Sequence, residues 1–179
     1  DSVVRLREVE SHLNAYWLGH PAALHEQLCR QGRFVCGGST LWVTMCRDHE
    51  DYGPILETMD AIFSDWSFVK LLHDSNRASL YALITNGCGG LLDSPDPRAL
   101  PLAERVVRGA LDSLSDKPHA YISYQYACVL ARAGDASLAL GLIGHCLDYG
   151  EPKESFLRDS DFAALRDDPR FLGLVSEGA

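Results

Sequence analysis

The sequence predicts an all-α fold, and three observations support this. Apolar residues at the start of the chain recur every three or four positions, namely Val3, Leu6, Val9, Leu13 and Tyr16. Between residues 54 and 114, apolar segments of helical period alternate with Pro, Gly or Asp breaks. Further along, the segments 124–133 and 136–147 are separated only by Gly134-Asp135, which is typical of two antiparallel helices joined by a tight turn.

The first helix ends at Gly19, and Pro21 suits the first turn of a second helix that ends near Gly32. Residues 33–50 allow two interpretations. Gly37-Gly38 between β-prone runs fits a hairpin, whereas Ser39 as an N-cap fits a helix. We favour the helix because the remainder of the chain is helical.

The middle of the chain predicts four helices. One starts at Pro54, a second is capped by Asp65, and a third is capped by Asn76 and ends at Gly87 or Gly90. A loop follows over residues 93–97, because two prolines among polar residues prevent a regular element. The fourth helix carries an apolar face made of Leu102, Val106, Val107, Ala110 and Leu114.

Composition excludes several classes of protein. With 25 acidic and 16 basic residues, the 179-residue chain has a net charge of −9, which argues against a nucleic-acid partner. No apolar run approaches the ~20 residues of a membrane span, and the first ten residues carry three acids and two arginines, unlike a secretory signal. The six cysteines form no Cys-x-x-Cys pair, so we expect reduced thiols and a cytoplasmic protein.

Signals for an enzyme are few. Cys36, Cys46 and His49 form the nearest metal-like group, but their spacing fits no standard zinc site. No nucleophile elbow, phosphate-binding loop or metalloprotease signature is present. We therefore expect a protein without catalytic residues, metal or cofactor. A metal- or thiol-dependent enzyme is a weaker alternative to the two binding functions considered below.

The segment 120–152 carries a family resemblance. Small residues stand at Ala127 and Ala139, Gly134 precedes the turn, and Ile143 follows on the second helix. This pattern resembles a tetratricopeptide repeat (TPR), and residues 156–171 resemble the segment that closes bacterial TPR proteins. The resemblance implies a TPR-like right-handed superhelix of antiparallel helix pairs, with a divergent helical region over residues 1–75 and TPR-like pairs plus a cap over 76–179. In that cap, Asp168-Pro169 would begin a last helix, and a set of apolar residues would cover the final repeat: Phe162, Leu165, Phe171 and Leu174.

The same resemblance implies a protein-binding module whose concave face holds a protein or peptide. Family positions on that face fall on Tyr121, Tyr124, Gln125, Cys128 and Arg132. A competing interpretation is that Tyr121 and Tyr124 only pack against neighbouring helices. A second functional alternative is an inhibitor that neutralises a cognate toxin, because the net charge of −9 would suit a basic, nucleic-acid-cleaving target.

Overall fold

A computed structural model describes residues 39–40, 43–114 and 120–176, with residues 75–76 and 120–121 described by their backbone alone. Every regular element in these ranges is a helix, which confirms the all-α prediction. The chain divides into two compact units, Asp1–Gly87 and Cys88–Ala179. No helix within the described ranges is both long and apolar enough to cross a membrane.

In the first unit, residues 39–40 and 43–48 are helical, as the favoured interpretation of this ambiguous region predicts. Residues 33–38 and 41–42 lie outside the described residues, as do both helices predicted before them. Helix α1 spans Gly53–Ile62 and has Pro54 in its first turn. It buries an apolar face made of Ile55, Leu56, Met59 and Ile62.

Helix α2 spans Trp66–Asp93, and its length corrects the sequence interpretation. Asp65 caps it as predicted, because its Oδ1 accepts hydrogen bonds from the amides of Ser67 at 2.9 Å and Phe68 at 3.3 Å. The predicted new helix at Asn76 is wrong, since no proline interrupts the backbone hydrogen bonds there. The predicted end at Gly87 or Gly90 is wrong as well. A Cβ on Gly87 would overlap the Met59 Sδ atom, so this glycine permits close packing inside a helix and does not terminate it.

The second unit begins within α2 and continues through the predicted loop, which spans residues 94–98. Helix α3 spans Ala99–Ser113 and buries the predicted face. The next helices are α4 (Ala120–Ala133) and α5 (Ala136–Asp148). Three short elements follow: α6 (Lys153–Arg158), a 3-10 helix (Ser160–Leu165) and α7 (Pro169–Val175).

The turn between α4 and α5 matches its prediction residue by residue. Gly134 has φ +87°, a left-handed conformation that costs a residue with a Cβ about 1 kcal/mol. Asp135 caps α5 by accepting the Leu138 amide at 3.1 Å. Ala127 and Ala139 are fully buried, as expected where two helix backbones approach closely. The residues predicted to form this helix pair therefore do so.

The segment after α5 closes this pair. The 3-10 helix packs on α4, while α7 packs on α5. Asp168 caps α7 by accepting the Arg170 amide at 2.8 Å, as the Asp168-Pro169 pair predicts. The segment buries five large apolar side chains, namely Phe156, Phe162, Leu165, Phe171 and Val175. Leu174, which was also predicted to cover the last pair, is half-buried beside Gly144 of α5.

Candidate functional site on helix α4

Three of the five predicted binding residues form one stripe on α4. Tyr124, Cys128 and Arg132 lie four positions apart, so they share one face of the helix. Gln125 is half-buried on a neighbouring line. Tyr121 lies in the first turn of α4, but its side chain is outside the described residues. The stripe faces residues 155–161, which sequence reasoning treated as a closing segment only.

Tyr124 joins α4 to this segment through both its ring and its hydroxyl. The ring centroid lies 5.0 Å from that of Phe156 and 5.6 Å from that of Phe162. The hydroxyl donates a hydrogen bond to Asp159 Oδ2 at 2.8 Å, with the Ser155 carbonyl oxygen 3.3 Å away. Burial, followed by the hydrogen bond to Asp159, raises the pKa of Tyr124 far above its usual range. The competing interpretation, in which Tyr124 packs within the chain, therefore describes its contacts.

Cys128 lies at the centre of the stripe and is 2% exposed. Its Sγ lies 3.9 Å from Asp159 Oδ2. Burial and the nearby charges of Asp159 and Asp161 raise the pKa of the thiol strongly, so it stays protonated at neutral pH. A buried, protonated thiol offers neither a nucleophile nor a surface contact. Cys88 in α2 behaves similarly, since burial raises its pKa to about 12.

Arg132 completes the stripe and keeps 40% of its side chain exposed. Its Nη1 donates a hydrogen bond to the Leu92 carbonyl oxygen at 2.7 Å and lies 3.4 Å from Asp161 Oδ1. Burial and the charge of Asp159 raise the pKa of Asp161, and Arg132 opposes that shift. Arg132 therefore compensates part of the negative charge that Asp159 and Asp161 bring to this face.

The described residues contain one group with the composition of a metal site, formed by Cys128, Asp159 and Asp161. Their potential ligand atoms all lie within 4.8 Å of one another. The two carboxylates already make other contacts, which argues against their binding a metal ion. Asp159 accepts hydrogen bonds from Tyr124 and from the Asp161 amide, and Asp161 already pairs with Arg132. The geometry is that of an internal hydrogen-bond network joining α4 to the closing segment.

The Cys36, Cys46 and His49 group, which the sequence suggests as a metal-like cluster, belongs to the first unit. Cys46 is buried, whereas His49 is exposed in the turn that follows its helix. Cys36 lies outside the described residues. The enzyme alternative based on this group stays a prediction.

Sequence reasoning missed the role of Asp159 and Asp161. A local signal was available, because an Asp that follows a helix and precedes Ser-Asp is a good N-cap, and Asp159 Oδ1 does accept the Asp161 amide at 2.9 Å. The contact of Asp159 Oδ2 with Tyr124 spans 35 positions and leaves no mark in the local sequence.

The chain matches no protein-family model, no curated protein and no solved structure.

Proposed function

We propose that this protein is a non-catalytic protein-binding module built from TPR-like helix pairs. The observation that carries the proposal is the α4–α5 pair. Its small residues are buried at the contact, its turn glycine is left-handed, and its second helix is capped by the aspartate that follows this glycine. These features join in one unit the positions that the repeat pattern requires.

The closing segment supports the same proposal. Its 3-10 helix packs on α4, and its last helix, α7, packs on α5. A further helix pair would contact α4 and α5 in the same order. In place of two full-length helices, the segment has α6 followed by the 3-10 helix, and then the short α7. We interpret residues 153–175 as a reduced last pair that covers the end of the array, because a stack of repeats needs a terminal cover to stay soluble.

The contacts divide four of the five predicted partner-binding residues by role, and the side chain of the fifth, Tyr121, lies outside the described residues. Tyr124 and Cys128 face the closing segment, so their part is to hold that segment in place. Gln125 is half-buried and Arg132 is 40% exposed, so both can still contact a partner. In this proposal a protein or peptide binds along the rim of α4 near these two side chains, and Arg132 selects for a hydrogen-bond acceptor.

An affinity capture tests the proposal, with bound proteins identified by mass spectrometry. The informative variant is Gln125→Arg, which adds bulk and one positive charge on α4, about two helical turns before Arg132. The matched control is Ala78→Arg, an equal charge change at an exposed position of α2. A partner held by the wild type and the control but lost with Gln125→Arg supports the α4 rim as the binding surface. A partner held equally by all three would contradict it.

The inhibitor alternative makes a different prediction for the same partner. The net charge of −9 would steer a basic target electrostatically, so the association rate should fall steeply with ionic strength. A scaffold contact made by a few side chains should depend weakly on salt. Association rates measured at low and high salt therefore separate the two.

A further inference from the structure

We draw no further inference here: the strongest candidate, the side-chain cluster of Cys128, Asp159 and Asp161 between α4 and the closing segment, belongs to the site already described, where both carboxylates are held by contacts within the chain.

Discussion

Replacing Tyr124 by Phe removes one hydroxyl from the contact between α4 and the closing segment. The ring contacts with Phe156 and Phe162 remain, so the change isolates the hydrogen bond to Asp159 Oδ2 at 2.8 Å. A hydrogen bond to a charged group contributes about 1.5–3 kcal/mol to stability. Tyr124 is only half-buried, so water can replace part of the lost contact. We therefore expect the free energy of unfolding to fall by about 1–2 kcal/mol.

Urea denaturation measures this loss as a shift in midpoint at an unchanged slope. Hydrogen exchange should also quicken at the amides of residues 153–165, because Tyr124 holds that segment. Tyr149→Phe serves as the control. Its side chain is 66% exposed, so its effect should stay within about 0.5 kcal/mol.

A double-mutant cycle makes the test specific to the pair. Asp159→Asn keeps an oxygen that can accept the Asp161 amide and removes the charge that faces Tyr124. The coupling energy between the two changes should be about 1 kcal/mol. A Tyr124→Phe variant as stable as the wild type, or a coupling energy near zero, would refute the role assigned to this hydrogen bond.

Three further predictions concern the same unit. Ala139→Leu should lower the free energy of unfolding by about 1–3 kcal/mol, because the Ala139 side chain is fully buried at the α4–α5 contact. Thermal melting measures this loss, and an unchanged melting temperature would show that the repeat alignment is wrong. Gly134→Ala should cost about 1 kcal/mol in a urea titration, owing to its φ of +87°, and exposed Ala163→Gly in the 3-10 helix is the control for chain entropy. Asp161→Asn should gain stability relative to the wild type as pH rises from ~3 to ~6. The pKa of Asp161 is raised in the folded state, so wild-type stability contributed by this group is present below its unfolded pKa of about 3.9 and is lost as pH rises through the folded value. A stability difference that shrinks with rising pH would contradict the sign.

The fold was predictable where the determining contacts are local. Gly134, Asp135 and the buried alanines of α4 and α5 act over one or two helical turns, so their pattern can be read directly from the sequence. The continuous α2 was not predictable, because Gly87 resembles a helix end until the packing of Met59 against it is known. Local sequence carries the signal for a cap but not the reason why a buried glycine lies inside a helix.

The candidate site was predictable only in part. Helical spacing correctly places Tyr124, Cys128 and Arg132 on one face, since that depends on period alone. What lies opposite that face depends on contacts across 29–35 positions, and no local pattern encodes them. Sequence reasoning therefore identified the stripe but not the contacts that Asp159 and Asp161 of the same chain make with it.

The long separation between Tyr124 and its cover has a consequence for biosynthesis. Asp159 follows Tyr124 by 35 residues, and Phe156 and Phe162 lie close to it in sequence. At about 5–20 residues per second, the ribosome adds this stretch in roughly 2–7 s. Throughout that interval the contact of Tyr124 with Asp159 cannot form, because Asp159 has not yet been made. The α4 contact with the closing segment therefore forms only late in synthesis, and translation speed over residues 124–162 should influence when the second unit completes its folding.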